Sequence, residues 1–254
     1  MTDIAYHAMP DDGRRIAYRY APASKAQTAP AIVFLPGYRS DMAGGKATAI
    51  LEWAQERGLD CLLFDYSGCG LSEGDFAEGT LTRWREEALT LIKALALNTI
   101  ILAGSSMGGW LMLLIGEALG WHRVHALLGI APAPDFTEWG TTPKQKTELA
   151  SGNQIWEDSP YGPEPTPTYP GFWMDGQTQR MLETSIPFTG QVRLVHGQAD
   201  RDVPWKISLR LAAALRSDAV QVSLVKGGDH RLSRPQDIAL ILRLLGELAV
   251  RKEI

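Results

Sequence analysis

"TIILAGSSMGGWLM", Thr99–Met112, sets an apolar run, two serines and three glycines next to one another. The run "TIILA" reads as a buried strand and "GGWLMLLIGEAL" as a helix, so the glycine-serine turn between them is a strand-to-helix elbow. G-x-S-x-G occurs twice, at Gly70–Gly74 around Ser72 and at Gly104–Gly108 around Ser106. Only Ser106 has a strand before it and a helix after it. At such an elbow a serine hydroxyl stands exposed, and the new helix aims free N–H groups at a developing oxyanion. Ser72 has neither flank, and Glu73 beside it would repel an oxyanion, so it reads as a turn serine. Ser105 is assigned a local hydrogen-bonding role, because consecutive residues on a sharp turn do not both face a substrate.

Working outward from the elbow, short apolar runs alternate with helical patterns. "AIVFLPG", "CLLFDY", "TIILAG", "VHALLGIAP", "VRLVHG" and "VQVSLVKG" read as strands. Helices are expected near Gly44–Arg57, Leu81–Leu95 and Met107–Leu119, from Pro204, and at the C-terminal end. This alternation predicts a mostly parallel sheet covered on both faces. "AYHAM" and "RRIAYRY" around "PDDG" read as an opening hairpin. Ser233 with Gln236 forms a capping-box pattern for the last helix. The rhythm fails from Asp135 to Gly190, a Pro-rich stretch holding Trp139, Trp156, Tyr161, Tyr169, Phe172 and Trp173. A structureless loop of that length is improbable in a compact domain, so residues 135–190 are expected to be an inserted lid on a core formed by 1–134 and 191–254.

The 254 residues carry 25 basic and 29 acidic side chains, a net charge of −4 with no dense basic run, which removes the electrostatic basis for nucleic-acid binding. The N-terminal stretch lacks a basic region followed by an apolar one, and no apolar run of about 18 residues occurs, so no stable membrane insertion and a cytoplasmic location are expected. The two cysteines, Cys61 and Cys69, show neither a disulfide framework nor metal-ligand spacing.

A serine nucleophile needs a base, and the base an orienting carboxylate, in the chain order Ser, Asp or Glu, His when the fold is of this type. "VRLVHGQADRDVPW" and "LVKGGDHRLSRP" supply Asp200 and His230 in loops after strands. Asp202 competes for the acid, but reads as the N-cap of a helix with Pro204 in its first turn. His196 reads as buried scaffolding and Asp229 as a turn residue. His7, His122 and His125 have no triad context. The oxyanion donors are expected to be the backbone N–H groups of Met107 and of Tyr38, which follows Gly37 in the loop after "AIVFLPG". Trp110, Trp139, Trp156 and Trp173 are candidates for an apolar acyl pocket, against a reading as lid packing. Arg39 could meet a substrate carboxylate or stay solvated.

"GSSMGG", "HGQADRDVP" and "GGDHR", in that order, resemble the α/β-hydrolase superfamily. "FLPGYRSDMAGGKA", "FDYSGCGLSEG", "TLTRWREEAL" and "VRLVHGQADRDVPWKIS" resemble, within it, the mitochondrial palmitoyl-protein thioesterases, also described as acyl-glucuronide hydrolases. The resemblance implies an α/β-hydrolase fold with an eight-stranded sheet, and a triad at Ser106, Asp200 and His230. It also implies action without metal or cofactor on a small-molecule ester or thioester, possible extension to an acylated protein, and an acyl-enzyme intermediate. A C–C bond hydrolase, a peptidase on the same triad, and a catalytically idle ligand receptor are the rival readings.

Overall fold

The computed structural model describes residues 2–24, 29–158 and 163–250; Tyr161 lies outside them. Strands β1 (Ala5–Ala8), β2 (Arg15–Ala21), β3 (Ala31–Leu35), β4 (Cys61–Phe64), β5 (Ile100–Ser105) and β6 (Val124–Ile130) precede a small pair, β7 (Ile155–Glu157) and β8 (Thr166–Thr168). Strands β9 (Gln191–Gly197) and β10 (Val220–Val225) follow. The eight-stranded sheet has the order β1-β2-β4-β3-β5-β6-β9-β10. Pairs β1–β2 and β2–β4 are antiparallel and the rest parallel. The β1–β2 turn uses Gly13 at φ 75°, the positive value the Asp-Gly signal predicted.

Successive strand residues serve opposite faces. Ile100 and Leu102 of β5 join one core with helices α2 (Leu81–Ala94) and α3 (Met107–Leu119). Ile101 and Ala103 join the other, with α1 (Gly45–Glu56) and α8 (Pro235–Ala249). That is why β3, β4 and β5 are apolar without alternation: both faces are covered. The chain is an α/β-hydrolase fold.

Between β6 and β9 the chain forms α4 (Phe136–Trp139), α5 (Pro143–Ala150), the β7–β8 hairpin and α6 (Pro170–Thr178). Its ends are tied by Asp135, whose buried carboxylate accepts from Met181 N–H and Leu182 N–H, both at 2.8 Å. The tryptophans fasten it: Trp173 Nε1 donates to Thr137 O and Trp110 Nε1 to Gln179 O, each at 3.0 Å.

Two helix starts differ from expectation. α8 begins at Pro235 after Arg234, not after Ser233, because Pro235 presets the first helical φ and Asp237 accepts from Arg234 N–H at 3.2 Å. α7 (Lys206–Ala214) begins two residues past Pro204, so Asp202 is not its cap. Among the described residues no helix is long and apolar enough to cross a membrane.

Candidate active site

The C-terminal ends of β3, β5, β9 and β10 meet around Ser106, where parallel sheets place their ligands. Ser106 sits between β5 and α3 at φ 54°, ψ −120°, a conformation that a residue with a Cβ rarely adopts. Three backbone hydrogen bonds hold it there. Its N–H donates to Ile130 O at 2.9 Å, and its carbonyl accepts from Gly109 N–H at 2.8 Å and Ala133 N–H at 3.0 Å. Two glycines make the bend possible: a Cβ on Gly104 would stand 2.2 Å from Gly108 O, and one on Gly108 would stand 2.0 Å from Leu35 O.

His230 lies in the loop after β10. Its Nε2 is 3.0 Å from Ser106 Oγ, and its Nδ1 is 2.8 Å from Asp200 Oδ2. Asp229 acts on the backbone, accepting from Leu232 N–H at 2.9 Å. The Asp200 side chain is fully buried and that of His230 is 16% exposed. Asp200 Oδ1 accepts from Asp202 N–H and Val203 N–H, both at 2.9 Å. Oδ2 also faces His196 Nε2 at 3.1 Å. Burial pushes the Asp200 carboxyl up, but the bonds from His196 and His230, the His230 charge and the Val203 N–H outweigh it and hold it well below the usual range.

Asp200, Asp202 and His230 also lie close enough to suggest a cation site, with one potential ligand atom from each within 4.8 Å of the others. The donors do not suit a metal: a carboxylate offers about four lone-pair positions, and four N–H groups already face Asp200.

Tyr38 and Met107 both line the cavity above Ser106. Met107 is the first residue of α3, and first-turn N–H groups have no intrahelical acceptor. A Cβ on Gly37 would stand 3.3 Å from Ser106 Cβ, so the loop carrying Tyr38 abuts the elbow. The Tyr38 ring is half-buried against Phe76 and Phe172, with centroids at 4.9 and 4.8 Å, and its hydroxyl donates to Pro167 O. Burial pushes its phenol up. Asp65, at the end of β4, braces the same region by accepting from Met42 N–H and Leu71 N–H. Ser72 accepts from Ala17 N–H and donates to Asp65 O, as a turn serine would.

The cavity measures about 780 Å³. Of the four tryptophans singled out, only Trp139 lines it, together with Phe136. Trp110 is fully buried against Phe136 and Trp173 is held on Thr137, so both pack the inserted segment. Trp156 is exposed and lines an adjoining cavity of about 540 Å³ beside Tyr169. Ser105 is buried but also lines the main cavity, so the bend does not turn it fully away. The walls are more charged than an apolar acyl pocket. Arg39, Lys46, Arg201 and Arg231 share them with Glu157, Asp158, Glu164 and Asp202. Arg39 donates to Pro165 O at 3.1 Å. Lys46 Nζ donates to Arg231 O beside His230; burial and the Arg231 charge lower its amine to about 8, against Asp229 and Asp237. Two features escaped sequence reasoning: the Lys46 contact, which has no local signal, and the grip of His196 on Asp200, signalled only by a four-residue spacing after a strand.

The alpha/beta hydrolase family model matches residues 32–240. Mouse palmitoyl-protein thioesterase ABHD10, mitochondrial, is 39% identical over 223 residues, which is 86% of this chain and 75% of that protein. The mouse alpha/beta hydrolase domain-containing protein 10 structure superposes with a TM-score of 0.86 at 35% identity, covering 97% of this chain and 98% of that one. A protein from Agrobacterium vitis S4 superposes at a TM-score of 0.90 and 36% identity, covering 98% of this chain and 99% of that one. The relatives' mitochondrial names overturn the cytoplasmic location expected from the N-terminal sequence. By its elbow, its sheet and these matches, the chain belongs to the alpha/beta hydrolase family and is a hydrolase.

Proposed function

We propose that the chain cleaves carboxylic esters or thioesters through an acyl-enzyme on Ser106. The observation that carries this is the continuous relay from Ser106 Oγ through His230 to Asp200, at 3.0 and 2.8 Å. His230 Nε2 takes the hydroxyl proton as Oγ attacks the acyl carbon, then returns it to the leaving oxygen or sulfur. A water, deprotonated by the same nitrogen, attacks the acyl-enzyme and releases the acid. Asp200 holds Nδ1 protonated and stabilises the imidazolium. The N–H groups of Tyr38 and Met107 receive the oxyanion, a contribution of about 10²–10³ in turnover per donor. No step calls for a metal or redox group.

Residues 135–190 act as the lid, contributing Phe136, Trp139 and the acidic wall to the cavity. The relatives' name, palmitoyl-protein thioesterase, supports a thioester substrate, with a small molecule or an acylated protein as the carrier. A fluorophosphonate tests the reading: wild type is labelled on Ser106 and Ser106→Ala is not, while an unlabelled wild type refutes it. Thioesters and p-nitrophenyl esters of increasing chain length then locate the substrate. An acyl pocket raises kcat/KM severalfold per two carbons, at up to about 0.8 kcal/mol per buried methylene, and an optimum at acetate rules a long-chain pocket out.

A further inference from the structure

His196, on β9, is fully buried and has no part in the proton transfers above. Its surroundings nevertheless constrain its hydrogen bonding. Nε2 lies 3.1 Å from Asp200 Oδ2 and 3.0 Å from Val203 O. Both are acceptors, so Nε2 carries a hydrogen. Nδ1 lies 2.7 Å from the hydroxyl of Ser208, a buried residue of α7. A neutral ring accepts the hydroxyl proton there, so the Nε2–H tautomer is matched at both nitrogens.

Two imidazoles therefore converge on one carboxylate oxygen, His230 from the cavity side and His196 from inside the fold. The two contacts differ in consequence. His230 takes up and returns a proton at Nε2 through the reaction, whereas His196 is locked by Val203 O and Ser208 and can only hold. A second donor on Oδ2 fixes the carboxylate rotamer and draws charge from the oxygen that His230 uses. We propose that His196 is a positioning residue for the triad: as a neutral Nε2–H imidazole it clamps Asp200, and so sets both the aim of His230 and the acidity at which His230 becomes protonated. The inference rests on the triad reading of Ser106, His230 and Asp200.

Removing the clamp concentrates charge on Asp200, which favours the imidazolium of His230, so the acid limb of the rate profile moves to higher pH. The other charged groups around the pair are Arg201 and Asp202 after Asp200, Asp229 and Arg231 flanking His230, and Lys46 of α1. None of them is altered in the variants below.

The test compares wild type with His196→Phe/Ser208→Ala, which removes the donor without orphaning the hydroxyl, and with His196→Gln, whose amide can still donate. Active sites are counted by fluorophosphonate titration, and kcat/KM per titrated site is measured against pH. The double variant should lose about 10–100-fold per site, the size typical of supporting-shell losses, with KM little changed and the acid limb displaced upward; His196→Gln should recover most of both. Per-site activity and an acid limb equal to wild type would reduce His196 to packing and overturn the proposal. Nitrogen NMR of wild-type His196 gives a second arm independent of variant folding. A protonated Nε2 with unprotonated Nδ1 is expected at the pH of maximal activity, and an Nδ1–H tautomer there overturns the proposal. Failure of wild type to label would instead strike at the triad, leaving the NMR result to stand on its own.

Discussion

Replacing Ser106 by glycine and by alanine separates what the elbow costs from what it does. Both variants lose the hydroxyl and its contact with His230 Nε2. Only alanine keeps a Cβ at φ 54°, ψ −120°. A residue with a Cβ in so sparsely populated a region carries about 1–3 kcal/mol of strain, sustained here by three backbone hydrogen bonds at the bend. Glycine relieves the strain but loses about 0.5–1 kcal/mol through its freer unfolded chain, which leaves a net advantage of roughly 1 kcal/mol over alanine. For a chain of this size that is a Tm higher by about 2–4 °C, readable by calorimetry. Both variants should fall about 10⁶-fold in turnover, the cost of losing a nucleophile. A glycine variant melting at or below the alanine variant would refute the strained elbow, and turnover persisting in either would remove Ser106 as the nucleophile.

Asp200→Asn should lower kcat by about 10⁴, since an amide in place of the carboxylate no longer fixes the His230 tautomer. The same variant reads a linkage. The Asp200 carboxyl is held below its unfolded value of about 3.9, so its charge contributes stability above that pH and loses it as pH falls toward the folded value. The stability gap between wild type and Asp200→Asn should therefore be full above about pH 5 and shrink below about pH 4; a gap constant from pH 6 to 3 contradicts the depressed carboxyl. Lys46, with its amine lowered to about 8, is half unprotonated at pH 8, against roughly 0.4% for an ordinary lysine near 10.4. An amine-reactive ester at pH 8, followed by peptide mass mapping, should modify Lys46 well ahead of surface lysines such as Lys93; a reactivity midpoint near 10 would refute the lowering.

What was legible in the sequence follows from how local each feature's cause is. The elbow was legible because strand, glycines and helix lie within one short stretch, and a Cβ at Gly104 or Gly108 would press to 2.2 or 2.0 Å from a neighbouring carbonyl oxygen. The gathering of Asp200 and His230 beside Ser106 was legible because parallel strands deliver their following loops to one edge of the sheet. The roles of the tryptophans were not. Whether Trp139 faces the cavity or Trp173 faces Thr137 depends on how helices α4 and α6 pack on each other, contacts made across the fold with no periodic signal in the chain. The same holds for the cap of α8: Ser233 matched a pattern, but Pro235 and the Asp237 carboxylate moved the start by one residue.

The charged wall above Ser106 has a common origin with that difficulty. Its cations Arg39, Lys46, Arg201 and Arg231, with the acid Asp202, stand on the sheet's own loops and on α1, while Glu157, Asp158 and Glu164 come from the inserted segment. Neither set looks unusual where it occurs in the chain, and only the fold brings them to one cavity. The strapping of Tyr38 and Arg39 to the carbonyls of Pro167 and Pro165 joins the inserted segment to the loop that abuts the Ser106 elbow. A change in the inserted segment that shifts β8 therefore reaches the loop beside Ser106 directly. A substitution in the inserted segment around β8 should for that reason alter kcat as well as KM.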